Sequence, residues 1–310
     1  MGPILFQPIY RERVWGGRRL EAVFDRSLPG GVPIGESWEL VDREEAQSVV
    51  CEGPLAGRTL SQLWETERRP IFGTLAPETR RFPLLIKILD AADRLSLQVH
   101  PPASVASRFG GEPKTEMWYV LDAASGSELY VGLRRGVTKE SFARAIEEGT
   151  VADCFHRIQT QKGDCMFLPS GRVHAIGAGH LIAEIQQNSD TTFRVYDWDR
   201  KGLDGRPRAL HVAESLECID FCDYEPQLQQ ARGENLVACP LFNVSLAALG
   251  SGRTWVGGSE RFHLFMPVDG SVEVAGREIR PGRFFLLPAS GRPLTIRPAR
   301  PEVRVLVTTW

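Results

Sequence analysis

Gln98 and His100 lie two residues apart in the run Leu95-Ser96-Leu97-Gln98-Val99-His100-Pro101. Period-two alternation puts both on one face of a short strand, with Leu97 and Val99 on the other. Pro101 ends the run, because proline has no N–H for a sheet ladder. An amide oxygen and an imidazole on one strand face are two potential ligands for a divalent metal. Such a pair is commonly just a solvated face, so partners must come from elsewhere in the chain. Glu116 is one. It opens the run Met117-Trp118-Tyr119-Val120, a half-buried strand in which a carboxylate needs a partner. His174 is another, although a lone histidine is commonly a satisfied core residue. Two imidazoles, a carboxylate and an amide oxygen suit a borderline metal such as zinc, which takes His and carboxylate ligands at about 2.0–2.2 Å. His156 and His180 sit in polar or Gly-rich settings, His211 fits a helix start, and His263 falls in a later segment without such neighbours.

The elements that must position these residues are mostly strands. Short apolar runs punctuated by Gly, Pro and Asp cover Arg81–Leu89, Leu95–His100, Glu116–Leu121, Cys165–Leu168, Leu181–Gln187 and Thr192–Trp198. This spacing predicts a β-sandwich or barrel. Three helices interrupt it. One starts at the N-cap Thr138 and carries Phe142, Ala145 and Ile146 at helical spacing. The others are expected at His211–Ile219 and Leu60–Trp64. An internal repeat is visible: Gly163, five residues with an apolar centre, then Pro169 recurs as Gly282, five residues, then Pro288. In this frame Pro293 stands where the first copy has His174. The fold unit therefore occurs twice and the candidate ligand once. A polar stretch, Tyr224–Asn235, separates the copies, giving an expected catalytic domain over 1–232 and a degenerate β-domain over 233–310.

The bulk composition excludes several functions. A chain of 310 residues with net charge −2 and no Lys/Arg run gives no sign of a nucleic-acid partner. Arg11, Arg13, Arg18 and Arg19 cluster, but with aromatic and apolar residues between them, and read as a solvated face. The six cysteines form no CxxC pair, and Cys218 and Cys222 fit neighbouring turns of a helix, packed rather than metal-binding. No basic segment precedes an apolar stretch at the N-terminus, and no apolar run reaches the length of a membrane span. A cytosolic protein with reduced thiols is the expectation.

Two longer patterns carry a resemblance. Gly163-x5-Pro169-x-Gly171-x2-His174 matches the second signature motif of the cupin superfamily, with Ala178 where that motif ends in Asn. Gln98-x-His100 with Glu116 downstream represents the first motif loosely. The segment Leu181–Arg200 (containing Glu184, Gln187-Asn188-Ser189-Asp190 and Arg194-Val-Tyr196-Asp197-Trp198) narrows the match. With Gly35–Leu40, Leu85–Ala91, Leu95–Pro101 and Lys114–Val120, it resembles the type I phosphomannose isomerases in their short bacterial form, across nearly the whole chain and in order. The resemblance implies two cupin-like jelly-roll domains with a few inserted helices. It implies one zinc ion on Gln98, His100, Glu116 and His174, with Arg194 as the catalytic arginine and Glu184 and Lys114 lining the active site. The implied partner is a sugar phosphate, handled by a cytoplasmic monomer or weak homodimer.

The chemistry asks for these residue types. An aldose–ketose isomerase moves a proton between C1 and C2, and the enediolate needs positive charge nearby. A +2 ion against one carboxylate leaves about one positive charge. Arg194 can stabilise developing charge or hold a phosphate, unless it is a surface arginine paired with Asp190 or Asp197. Glu184 alternates with Ala183 and Ile185 and is the candidate general base, with burial expected to raise its pKa. Its alternative role is to orient a ligand histidine. Lys114, Arg194 and, less directly, Lys87 are the candidate phosphate cations, since no Gly-rich cradle is evident. Two other readings stay open on the residues: a non-catalytic sugar-binding cupin, and an iron(II) oxygenase built on two histidines and a carboxylate.

Overall fold

The structure is a computed structural model that describes residues 2–250, 255–256, 260–290 and 294–310. It is mainly β and divides into two compact units. One comprises Tyr10–Ser37 and Ile86–Gln229, the other Met1–Ile9, Trp38–Leu85 and Gln230–Trp310. This differs from a cut at 232/233 drawn along the chain: residues 38–85 group with the C-terminal segment. Their aromatic side chains explain why. Trp64, Phe72 and Phe82 join Phe262 and Trp310 in one cluster of ring contacts, with Trp64 and Trp310 centroids 5.8 Å apart. Aromatic burial of this size outweighs chain proximity.

Two sheets make up most of the first unit, the ends of three strands of the larger one falling on the other side of the division. One is six-stranded, in the order Ile9–Gly17, Ile34–Leu40, Leu84–Ala91, His180–Gln187, Glu116–Ala123, Cys165–Leu168. The other is five-stranded, in the order Phe193–Tyr196, Leu97–Val99, His174–Ile176, Glu128–Leu133, Phe155–Gln159. Leu89, Trp118, Val120 and Ile182 from the first meet Leu129, Val131 and Ile176 from the second in one buried cluster, so the sheets face each other as in a jelly roll. The outer face of the five-stranded sheet (Leu97, Val99, Ala175, Phe193 and Val195) packs on Phe142 and Ala145 of the helix Lys139–Glu147, and on Cys218 at the end of the helix Val212–Cys218. Side chains that alternate with this apolar set must point into the barrel.

Thr138 caps the first of these helices as its sequence predicts. Its hydroxyl accepts from Ser141 N at 3.2 Å, and Ser141 Oγ accepts from Thr138 N at 2.9 Å. We expect Thr138→Ala to cost about 1 kcal/mol, read as a lower urea midpoint at unchanged m-value.

The second unit carries a five-stranded sheet (Asn235–Ala238, Asn243–Gly250, Glu302–Thr309, His263–Pro267, Phe285–Leu287) and a four-stranded one (Trp255–Val256, Thr295–Pro298, Val272–Val274, Arg277–Ile279). Val303, Val305 and Val307 alternate into a core with Ala247, Phe265, Val274 and Phe285. The repeat read from the sequence has a structural counterpart. Gly163 (φ 99°) and Gly282 (φ 75°) both take the left-handed conformation that glycine allows, each ahead of a buried strand. Pro293 lies outside the described residues.

Three local expectations differ. The helix Val212–Cys218 stops at Cys218, and Cys222 is exposed beyond it instead of packed. The strand expected from Arg81 starts at Leu84. None of Arg11, Arg13, Arg18 and Arg19 is fully exposed. Arg13 pairs with Glu36, Arg18 with Glu21 and Arg19 with Asp122, so the set is a series of local ion pairs, not a solvated face. Among the described residues, no helix is long and apolar enough to cross a membrane.

Candidate metal centre and active pocket

The two sheets deliver the candidate residues from opposite sides. On the five-stranded sheet Gln98 stands in register with His174 on one neighbour and Arg194 on the other. On the six-stranded sheet Glu116 is opposite Gln186 and Trp118 is opposite Glu184. The strand Leu84–Ala91, next to His180–Gln187, adds Lys87. Period-two alternation thus converts six separate sequence runs into one polar interior.

His100, Glu116 and His174 are fully buried, and each offers a ligand atom within 4.8 Å of the others. The histidine tautomers follow from their partners. His100 Nδ1 lies 2.9 Å from the carbonyl of Thr191, and His174 Nδ1 lies 2.9 Å from the carbonyl of Arg172. A carbonyl only accepts, so each Nδ1 carries the proton and each Nε2 presents a lone pair. Those Nε2 atoms stand 3.4 and 3.5 Å from the two oxygens of Glu116. Burial, then the charge of Lys114, pushes His100 down to about 3, and burial likewise lowers His174. Both imidazoles are neutral, as metal ligands must be. Burial alone would raise the Glu116 pKa, but Lys114 and then His100 outweigh it and hold it well below the usual range.

Neither buried oxygen of Glu116 receives a directed hydrogen bond. Lys114 Nζ supplies the facing positive charge, 3.1 Å from Glu116 Oε2 and 3.1 Å from His100 Nε2. Gln98 Nε2 is 3.4 Å from His174 Nε2, and a half-turn of its amide presents Oε1 there instead. Two inward lone pairs, an ionised carboxylate without hydrogen bonds and an adjacent amide fit a divalent cation of the zinc class. The structure therefore brings together all four residues expected as ligands.

Beside this centre opens a cavity of about 550 Å³, lined among others by Gln98, Lys114, Glu184, Lys87 and Arg194. Trp118 Nε1 donates to Glu184 Oε2 at 2.9 Å, and Lys87 Nζ lies 3.4 Å from Oε1. Burial, then the charge of Glu116, raises the Glu184 pKa, in the direction expected from its strand position. Lys87 stays protonated: burial opposes its charge, but Glu184 and Glu36 outweigh burial. Arg194 reaches the cavity and donates from Nη1 to the carbonyl of Ala209 at 2.9 Å. It is not hydrogen-bonded to Asp197, whose carboxylate is taken by Arg200 and Arg208.

Two cationic residues of the pocket are not among the site candidates read from the sequence. Arg13 lines the cavity, tied to Glu36 by a 2.9 Å bond. Its signal was available: it shares a strand face with the buried Trp15. Arg208 also lines the cavity, from a run of exposed polar residues with no periodicity to mark it.

Residues 4–133 match the family described as "Phosphomannose isomerase type I, catalytic domain". Over 299 residues the chain is 38% identical to the mannose-6-phosphate isomerase ManA of Bacillus subtilis, covering 92% of this chain and 93% of that protein. It is 39% identical over 249 residues to the mannose-6-phosphate isomerase of Streptococcus mutans, covering 78% and 77% of the two chains. The crystal structure of the mannose 6-phosphate isomerase from Bacillus subtilis superposes with a TM-score of 0.87 at 31% identity, over 100% of both chains. Its strand motifs, its two-sheet barrel and this length-wide identity agree: the chain belongs to the type I phosphomannose isomerase family.

Proposed function

We propose that this chain is a zinc-dependent aldose–ketose isomerase that interconverts mannose 6-phosphate and fructose 6-phosphate by proton transfer between C1 and C2 through an enediol(ate). The observation that carries the metal is the pair of Nε2 lone pairs facing a buried Glu116 carboxylate that accepts no hydrogen bond. Gln98, His100, Glu116 and His174 would hold the ion. Bound there, zinc supplies Lewis-acid stabilisation of negative charge on the sugar oxygens.

The chain's own residues do the rest. Glu184 takes the proton from C2 and returns it at C1. Its raised pKa brings it toward the working pH of a general base. The Trp118 indole fixes its orientation through Oε2, and the ammonium of Lys87 keeps the ionised form accessible. Arg194 stabilises the oxyanion that develops as the proton leaves. Lys114, at the boundary of centre and cavity, is placed to donate to a sugar oxygen while balancing Glu116. The burial of Glu116, Glu184 and Lys87 strengthens each of these interactions. We place the activity in the cytosol, where six cysteines without a disulfide stay reduced, on a monomer or weak homodimer.

The test is a coupled assay that follows fructose 6-phosphate formed from mannose 6-phosphate. Activity should vanish after exhaustive chelation and return as zinc is added to one equivalent per chain. A chelated, metal-free protein that keeps full turnover would refute the metal. A zinc-loaded protein that binds mannose 6-phosphate and never yields the ketose would identify a binding module instead.

A further inference from the structure

The two imidazoles facing Glu116 are each held from behind by a carbonyl that belongs to no strand or helix. Thr191 O, behind His100, and Arg172 O, behind His174, each lie 2.9 Å from the ring Nδ1. Thr191 follows the strand His180–Gln187, and Arg172 lies between the strands Cys165–Leu168 and His174–Ile176. No sheet ladder fixes either carbonyl, and backbone without a ladder keeps its place only through other bonds. Side chains that line no part of the cavity supply those bonds.

On the His100 side the tie is Ser189, a buried residue. Its hydroxyl accepts from Thr191 N at 3.2 Å and donates to Glu112 O at 3.1 Å. Thr191 Oγ1 accepts in turn from Glu112 N at 3.0 Å. Ser189 is itself gripped, its carbonyl accepting from Gln186 Nε2 at 2.6 Å. On the His174 side the tie is Asp223. Its two oxygens accept from Arg172 Nε and Nη2, each at 2.7 Å, while Arg172 Nη1 donates to Phe167 O at 2.7 Å. Such a paired carboxylate–guanidinium contact fixes direction as well as distance. Asp223 is anchored too: its carbonyl accepts at 3.0 Å from Leu133 N, on the strand that pairs with His174–Ile176.

We infer that Ser189 and Asp223 are positioning residues of the metal centre, Ser189 acting on His100 through the Thr191 carbonyl and Asp223 on His174 through Arg172. This rests on the metal-dependent reading above and deepens it. An imidazole that donates from Nδ1 cannot turn without losing that bond, so Nε2 points where the carbonyl directs it. A ligand atom must stay within about 0.5 Å of its productive place, and two loop carbonyls do not hold that tolerance unaided. Ser189 spends both roles of its hydroxyl on neighbouring backbone, and Asp223 spends both oxygens on one guanidinium. Both side chains are committed to the frame behind the imidazoles. The ligand atoms are therefore in place before the ion arrives, and less freedom is lost when it binds.

The experiment measures metal binding apart from turnover. Zinc affinity is determined on the full chain by competition with a chromogenic chelator, for wild type, Ser189→Ala and Asp223→Ala. The visible spectrum of cobalt(II) bound in place of zinc and the melting temperature of the metal-free proteins are recorded alongside. Each substitution should weaken zinc binding by roughly 10- to 100-fold, the scale of lost support behind a metal-bound histidine, and should shift the cobalt bands, which report ligand geometry. A purely structural contact would lower the metal-free melting temperature alone. Zinc affinity within twofold of wild type with unmoved cobalt bands in Ser189→Ala would remove Ser189 from the positioning role, and the same result in Asp223→Ala would remove Asp223. Should Ser189→Ala not fold, Thr191→Val cuts the second tie between the same two loops. Should Asp223→Ala not fold, Arg172→Met releases the same carbonyl, and both replacements are judged by the same criterion. A wild type without affinity for zinc would overturn the metal reading and this inference together, whereas zinc binding that the substitutions leave untouched would overturn the positioning role alone.

Discussion

His174→Ala is expected to bind far less than one zinc per chain and to lose turnover by roughly 10³-fold. The size follows from what the centre contributes. Lewis-acid stabilisation of transition-state charge amounts to several kcal/mol, and about 1.4 kcal/mol corresponds to tenfold in rate. His174 supplies one of only two inward lone pairs, fixed by the Arg172 carbonyl on its far side. No described neighbour can replace it: His100 Nε2 already faces the same point, and the Trp118 ring packs edge-on at 5.4 Å. Zinc content by mass spectrometry and turnover by the coupled assay check the expectation. Chelated wild type is the reference, and the variant should match it. A variant that keeps one zinc and near-normal rate would show that the ion sits elsewhere.

Glu184→Gln should separate the proton-transfer step from the metal. General-base catalysis is worth about 10²- to 10⁴-fold, and a loss of that size in kcat is expected at full zinc content. The substitution is conservative where it needs to be. A glutamine oxygen can still accept from Trp118 Nε1, which now donates to Oε2 at 2.9 Å. Lys87 loses one carboxylate at 3.4 Å but keeps the field of Glu36. A melting curve distinguishes the cost of that lost pair from lost chemistry. Were kcat to stay near normal, Glu184 would be reduced to orienting its neighbours, and the proton would have to move through another group.

Much of the metal centre was legible because Gln98, Glu116 and His174 sit on strands, and His100 directly after one, whose period-two pattern declares the inner face. Gln98 between Leu97 and Val99, and Glu184 between Ala183 and Ile185, turn inward as their alternation requires. The turn from Gly163 to Gly171 announces His174 through residues with fixed backbone demands. What the pattern cannot declare is which distant segment lies opposite. Arg13 read as solvated because its partner Glu36 lies on another strand. The cluster of Trp64, Phe72 and Phe82 with Phe262 and Trp310 was likewise hidden, since the apolar character of each residue is local and its partner is not. For Lys114, residue type gives charge but not reach. Only the folded barrel shows its ammonium against Glu116. Arg208 left no trace at all, as its placement depends on the chain folding back between Trp198 and Leu210.

The central question is whether one zinc ion occupies the point between the two Nε2 atoms and the Glu116 carboxylate. Anomalous diffraction at the zinc edge from crystals of the zinc-loaded, active protein measures this directly. One peak per chain is expected, with His100 Nε2, His174 Nε2 and a Glu116 oxygen each at about 2.0–2.2 Å and the Gln98 amide oxygen turned toward it. An active crystal with no peak there, or with its only peak at another site, would contradict it.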